Sequence, residues 1–132
     1  MEAASPIRSF RDLRVWQRGV DLLAEVYVIT KKLPKDELQG LTAHLRRAAL
    51  AVPARIAEGQ GRHATGDYLR HLTYAHGALA EVESLLAVAV RLEMLTTEQI
   101  APLAPVVDEI NKMLWGLSKA LRGGKAKKQA AA

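Results

Sequence analysis

Apolar residues recur at spacings of three and four along most of the chain, as they do in helices that bury one face. Ser9, followed three residues later by Asp12, forms a capping box that predicts the start of a first helix. Pro34 ends this helix, because proline has no amide hydrogen and pushes the preceding residue out of the helical conformation. The inward stripe of the first helix is predicted to comprise Leu13, Trp16, Val20, Leu23 and Tyr27.

A second helix is predicted to begin at Asp36, which can cap its first turn, and to end at the glycines Gly59 and Gly61. Pro53 lies inside this helix. Because the apolar pattern continues in phase beyond Pro53, we predict a kink at this position and not a break. The inward positions are predicted to be Leu38, Leu41, Leu45, Ala48, Val52 and Ile56.

Thr65 and Asp67 predict the start of a third helix, which should run to about Leu95. Pro102 and Pro105 are tolerated only near the start of a helix, so the fourth helix should begin there, after a turn over 97–101. The inward positions of these two helices are predicted to be Leu72, Ala75, Leu79, Val82, Leu86 and Ala89, then Leu103, Val107, Ile110, Leu114, Leu117 and Leu121.

No segment alternates apolar and polar residues as an exposed strand does, and the connections between the helices are short. The predicted fold is therefore all-α, an antiparallel up-down-up-down four-helix bundle with its second helix kinked at Pro53. We divide the chain into an N-terminal arm (1–8), the bundle (9–122) and a basic tail (123–132). The tail should be flexible, because its residues are small or basic and form no apolar stripe.

The first helix has a second apolar stripe, about 120° from the first, and the second half of the third helix has a similar excess. Monomers rarely leave large apolar patches in water, so we predict a homo-oligomer. The alternative is that a compact bundle buries wide helix faces by itself. Glycines within three helices, at positions 19, 77 and 116, would suit close approach of another backbone or simply loose packing. The interface candidates from the two excess stripes are Val15, Leu22, Val26, Ile29, Leu85, Val88 and Leu92.

The 132 residues suit one domain, and they include no cysteine, which excludes disulfides and cysteine nucleophiles and fits the cytoplasm. No stretch approaches the ~20 apolar residues that span a bilayer, so we expect no membrane association. The formal net charge of +5 and the pI near 9.7 favour a polyanionic partner, RNA or DNA, although many basic domains bind neither.

Nothing in the sequence predicts catalysis, a cofactor or a small-molecule substrate. The closest histidines within one predicted helix are His71 and His76, five residues apart, whereas two metal ligands on one helix face need a spacing of three or four. No glutamate is followed by histidine at the spacing of a di-iron bundle, and no nucleophile motif or phosphate-binding loop is present. We therefore expect no metal and no enzyme activity.

Several basic residues are candidates for contact with nucleic acid: Arg46, Arg55, Arg62 and the tail lysines Lys125, Lys127 and Lys128. For the arginines the alternative is a salt bridge, either with Glu58 or with a neighbouring subunit. Arg47 and Glu58 fall on one side of the second helix, so both are further interface candidates.

Trp115 does not share the leucine stripe of the last helix but projects with Lys112, Lys119 and Arg122. An indole in basic surroundings can stack on a base. It can equally pack beneath the N-terminal arm or a partner helix, since tryptophan is a favoured interface anchor, and Trp115 therefore joins the interface candidates.

Segments 10–17 (FRDLRVWQ), 45–49 (LRRAA) and 56–59 (IAEG) resemble the family encoded in intervening sequences of bacterial 23S ribosomal RNA genes, also called S23 ribosomal proteins. Further matching segments extend the resemblance to Leu121. It implies an antiparallel four-helix bundle, homopentamers that form a barrel, a nucleic-acid role and no catalytic residues. The accessory proteins of diversity-generating retroelements are similar too. The sequence departs from the family pattern at His44, Ala51, Arg55 and Ala78, where glutamine, serine, asparagine and serine are usual.

Two functions are compatible with these features. In the first, the protein is a non-catalytic homo-oligomer that binds nucleic acid, with RNA favoured, through basic patches pooled over several subunits. In the second, it is an interaction scaffold or an accessory subunit of a nucleic-acid enzyme such as a reverse transcriptase, and its charge only steers or solubilises it.

Overall fold

The structure is a computed structural model that describes residues 7–123. These residues form an all-helical fold without a strand, as the sequence predicts. Two short 3-10 helices, Phe10–Asp12 and Lys35–Glu37, precede the first two long helices. The α-helices are α1 (Arg14–Thr30), α2 (Leu41–Gln60), α3 (Thr65–Arg91), α4 (Thr97–Ile100) and α5 (Leu103–Gly123).

The first two long helices begin later than the sequence predicts. Both bonds of the Ser9–Asp12 capping box form, but they cap the 3-10 turn, and Leu13 is extended before α1 begins. The predicted cap at Asp36 is wrong. Glu37 takes this role, because its Oε1 accepts a hydrogen bond of 2.9 Å from the Leu41 amide. Leu38 therefore precedes α2 and is exposed, although we predicted it to be buried.

Each long helix contacts the helix before and after it, and α5 also contacts α1. The contacts run in reversed order along α1 and α2: Gly19 approaches Pro53, whereas Thr30 bonds to Arg46. The buried positions predicted for α2 from Leu41 onward, for α3 and for α5 form one core, except that Leu117 is only half-buried.

The most buried face of α1 is not the one that we predicted, although Leu13, Trp16 and Leu23 are partly buried against the core. Val20 and Tyr27, predicted to point inward, are exposed. The stripe predicted to form a subunit interface is instead part of this chain's own core, and Leu22 and Val26 have no exposed surface. These four residues are therefore not available for contact with another subunit: Val15, Leu22, Val26 and Ile29.

The physical reason for the reversal lies in the polar atoms of the two stripes. The buried stripe is purely aliphatic, so its burial leaves no polar side-chain group without water. The other stripe contains Trp16, which is partly buried, and Tyr27, which is exposed, and the polar groups of both side chains favour a position at the edge of water. Gly19 lies on the buried side, where a Cβ would come within 3.4 Å of Pro53. An added Cβ at Gly19 would thus be at van der Waals contact distance from α2, whereas at Gly77 or Gly116 it would meet nothing within 4 Å.

The end of α3 comes earlier than the predicted Leu95. Glu93 has a φ of 60°, which is left-handed, and so it terminates the helix after Arg91. The amides of Glu93 and Met94 bond back to the carbonyls of Val90 and Ala89, each at 2.9 Å, as in a Schellman motif. A second capping box at Thr96 then starts α4, so the turn predicted before Pro102 is a short helix.

The reversed face of α1 can be tested with Leu22→Asp. We expect this variant to lose about 4 kcal/mol or more of its free energy of unfolding, because it places a carboxylate among aliphatic side chains. Val28→Asp is the matched control, since Val28 is 60% exposed on the same helix and should change stability little. Urea unfolding followed by circular dichroism measures both, and similar stabilities would contradict the assignment of the core.

Candidate interaction surfaces

Two groups of apolar side chains remain on the surface of the chain. The first, the α1–α2 patch, comprises Val20, Leu23, Tyr27 and Leu50. Leu50 lies within one turn of both Arg46 and Pro53, the residues of α2 that contact α1. It therefore lies on the side of α2 that continues the α1 stripe, and its side chain is half-exposed.

The second group, the α3 patch, comprises Leu85, Val88 and Leu92, which were predicted as interface residues. Val88 and Leu92 are exposed, whereas Leu85 is partly buried against the core. These three residues remain available for contact with another chain. Leu95, which follows α3, is buried.

Glu58 is the centre of a charged cluster at the end of α2. Its carboxylate accepts hydrogen bonds from Arg55 at 2.8 Å and from Arg62 at 3.2 Å. His71 approaches the same carboxylate from α3, with 3.4 Å between its Nε2 and Oε2. Of the arginines predicted to contact nucleic acid, the structure thus brings Arg55 and Arg62 together in the predicted alternative, a salt bridge with Glu58.

The ionisation of Glu58 follows from this cluster. The hydrogen bond from Arg55 is the largest of the influences that hold the pKa of Glu58 below its ordinary value of 4.5, and the bond from Arg62 contributes least. The buried ring of His71 is fixed from the other side, because its Nδ1 donates to the Asp67 carbonyl at 2.8 Å. Beside it, burial raises the pKa of Tyr68 to about 12, so this phenol stays neutral.

Arg46 lies away from the Glu58 cluster, and its side chain also contacts residues of the same chain. Its guanidinium carbon is 4.4 Å from the centre of the Tyr27 ring, and its Nε donates to the Thr30 hydroxyl at 2.9 Å. Arg47 is exposed and contacts His44 at 3.4 Å. It does not reach Glu58, although both lie on one side of α2 as predicted.

Charge is distributed unevenly between the two ends of the fold. Three contacts between helices group residues 7–21, 55–76 and 108–123 at one end. They join Arg18 to Glu109, Glu58 to His71, and His76 to Asn111. We call this end the basic end, since these segments hold ten Arg and Lys against six Asp and Glu, a net charge of +4. The remaining described segments, 22–54 and 77–107, hold six Arg and Lys against seven Asp and Glu, a net charge of −1.

The basic end includes cations that we did not select from the sequence. Glu109 binds Arg18 at 2.8 Å and lies 3.8 Å from Arg14, so these charges are largely matched. Within residues 7–123, however, no carboxylate comes within salt-bridge distance of Arg8, Arg11, Lys119 or Arg122. These residues differ from ordinary surface cations only in their position together at the basic end, which the three-dimensional structure reveals. The predicted tail contacts Lys125, Lys127 and Lys128 lie outside the described residues.

Trp115 is 61% exposed on α5 and lies against His76 of α3, with ring centroids 4.8 Å apart. The two rings are tilted by 45°. His76 shares a hydrogen bond of 3.2 Å with the Asn111 side chain, and burial lowers its pKa. The indole therefore rests on a neutral ring and presents much of its surface to solvent.

Between residues 7 and 123, no group of three or more histidine, aspartate or glutamate side chains could hold a metal ion. No helix in the same range is both long and apolar enough to cross a bilayer.

Comparison with known proteins identifies the family. The family described as 23S rRNA-intervening sequence protein matches residues 11–116, which cover most of the chain. The chain belongs to this family. No curated protein matches it.

A solved member of the S23 ribosomal protein family has the same fold. The crystal structure of this protein of unknown function from Bacteroides thetaiotaomicron superimposes with a TM-score of 0.72. The match covers 80% of this chain and 98% of the other, at 23% sequence identity. At this level of sequence identity, the similarity supports the helical fold alone.

The Glu58 cluster gives a measurable prediction. Arg55→Ala should raise the pKa of Glu58 toward 4.5, whereas Arg62→Ala, the matched control in the same cluster, should raise it less. Carboxyl chemical shifts followed by NMR across a pH series measure both. Because the folded-state pKa is lowered, the stabilisation from Glu58 is present above the ordinary pKa and is lost as pH falls through the lowered one. Equal pKa values in the two variants would contradict this geometry.

Proposed function

We propose that the protein is a non-catalytic homo-oligomer that binds RNA through the basic ends of its subunits. The observation that carries this proposal is the charge separation, +4 at one end of the described residues against −1 over the rest. Phosphate backbones bind such surfaces because neutralising them releases counterions. The tail lysines, at 125, 127 and 128, follow directly after α5, which ends at the basic end.

RNA is favoured over DNA because the family is described by its connection with 23S rRNA. Within each subunit, many cations are already matched by carboxylates, so the excess charge of one subunit is modest. Affinity depends on the number of phosphates contacted, and several subunits that present their basic ends to one RNA would add their contributions.

The proposal includes the architecture and the assembly implied by the family resemblance. The four long helices would form an antiparallel up-down-up-down bundle, kinked at Pro53. The reversed contacts between α1 and α2 support it, as does the position of Pro53 within a continuous helix. Such bundles would assemble into homopentamers.

The two apolar patches favour a head-to-tail assembly. A two-fold dimer pairs the same patch on both subunits, whereas a closed ring pairs two different patches. The α1–α2 patch and the α3 patch lie on different helices and differ in composition. We therefore propose that the α1–α2 patch of one subunit packs against the α3 patch of the next. Arg47 and Glu58 would lie on the face of α2 between the two patches.

The assembly can be tested with one charge in each patch. Leu50→Asp and Val88→Asp should each convert the oligomer to monomers at micromolar concentration, because a carboxylate would be desolvated in the interface. Each variant keeps the patch that the other has lost. An equal mixture should therefore form dimers and nothing larger, as measured by light scattering. A wild-type monomer, or full oligomers of either variant, would contradict the head-to-tail contact.

RNA binding can be tested by matched charge reversals. Lys119→Glu with Arg122→Glu should weaken RNA binding and reduce the slope of log affinity against log salt by about 1 or more, since phosphate contacts are lost. Lys31→Glu with Lys32→Glu makes the same change in net charge at the other end and should have a smaller effect. Fluorescence anisotropy of labelled RNA across a salt series measures both. Equal effects, or no binding by the wild type, would favour the scaffold function.

A further inference from the structure

Trp115 is the most exposed large apolar side chain within residues 7–123, and its surroundings are charged. Lys119 and Arg122 follow it by four and seven residues on α5, so they share its side of the helix. Both cations are exposed and have no carboxylate partner among the described residues. Lys112, one turn before Trp115, is paired with Asp108 at 3.2 Å. The uncompensated positive charge thus lies on the C-terminal side of the indole.

His76 packs against the indole, and Asn111 holds the His76 ring in place. The Nδ1 of His76 lies 3.2 Å from the Asn111 Oδ1, which fixes Nδ1 as the donor in the neutral ring. The Nε2 atom is buried and has no hydrogen-bond partner among the described residues, and burial lowers the pKa of His76. A neutral imidazole supports one part of the indole, so an exposed aromatic surface is presented without the freedom of an unsupported side chain.

The indole is only partly covered by the described part of the chain, since Trp115 is 61% exposed. A flat ligand can therefore reach its free surface without displacing any of the described residues.

This surface differs in charge from the core of a subunit interface. Tryptophan and arginine are common in such cores, but lysine is depleted, and Lys119 lies one turn from Trp115 on the same helix face. The exposed apolar residues that suit a subunit contact lie in the α1–α2 patch and the α3 patch. An aromatic ring beside phosphate-binding cations is instead the arrangement by which proteins hold single-stranded nucleic acid.

We propose that Trp115 is a stacking platform for an unpaired base of single-stranded RNA, whose adjoining phosphates contact Lys119 and Arg122. The helix rise places Lys119 about 6 Å and Arg122 about 10 Å along the axis from Trp115, so the two cations can follow a strand that leaves the stacked base. This inference rests on the proposed function and narrows its ligand, because a base inside a duplex does not offer its face to the indole.

The test uses the Trp16→Phe protein, in which Trp115 is the only tryptophan. A single-stranded oligouridylate should quench its fluorescence, whereas an RNA duplex of equal length should not. In the wild-type background, Trp115→Ala should weaken binding of the single strand about fivefold or more, and Trp115→Phe should retain most of the affinity. Leu38→Ala, which truncates an exposed apolar side chain outside both patches, is the matched control.

The outcomes separate this inference from the function on which it rests. No binding of RNA by the wild-type oligomer would overturn both. Salt-dependent binding that is unaffected by Trp115→Ala, or the absence of quenching, would overturn the stacking platform and leave RNA binding intact. A smaller oligomer of Trp115→Ala in light scattering would show that the indole is a subunit contact and would also overturn the platform. Weaker single-strand binding with unchanged oligomer size and circular dichroism supports it.

Discussion

Close packing of α2 against both α1 and α3 is the contact on which the rest of the structure depends. At Gly59, a Cβ would lie 2.8 Å from the His71 Cβ, a distance that side chains do not tolerate. At Gly19, a Cβ would come within 3.4 Å of Pro53 on the other flank of α2. Gly59 thus sets how near α2 and α3 lie, because any larger side chain there would force the two helices apart.

The same two contacts lie next to the surface features of α1 and α2. On the side of α1 that faces Pro53, the aliphatic stripe is buried, whereas Tyr27 lies at the surface. With Gly59 against α3, the carboxylate of Glu58 lies beside the buried His71. The charged cluster at the end of α2 is therefore located at a close approach of α2 and α3.

The sequence predicts the helical class, the position of α3 and α5, and most of the core, because regular apolar spacing and proline positions are local signals. It fails for α1, where two apolar stripes compete and periodicity alone cannot rank them. The polar ring atoms of Trp16 and Tyr27 were the signal that favours the observed face. The start of α2 was missed since Asp36 and Glu37 are both possible caps, and only the geometry shows which one reaches the Leu41 amide.

The candidate surfaces were harder to predict, because they depend on which charges are matched in space. Arg55 and Arg62 were selected as phosphate contacts from their positions in the sequence, yet both bind Glu58. Lys119 and Arg122 were noted from the sequence only as neighbours of Trp115, and only the folded chain shows that no carboxylate among the described residues pairs with them. A motif search cannot make this distinction, since ion pairing between segments is a property of the tertiary structure.

Assembly and RNA binding should influence each other under the proposed function. A head-to-tail ring with aligned subunits brings several basic ends together, and their mutual repulsion opposes the apolar contacts that hold the ring. A bound RNA neutralises this charge and removes part of the repulsion, so it binds the ring more tightly than separate subunits. By linkage, RNA must then stabilise the ring by the same free energy. Salt would act in two directions, since it screens the repulsion between subunits while it weakens the contacts with phosphate.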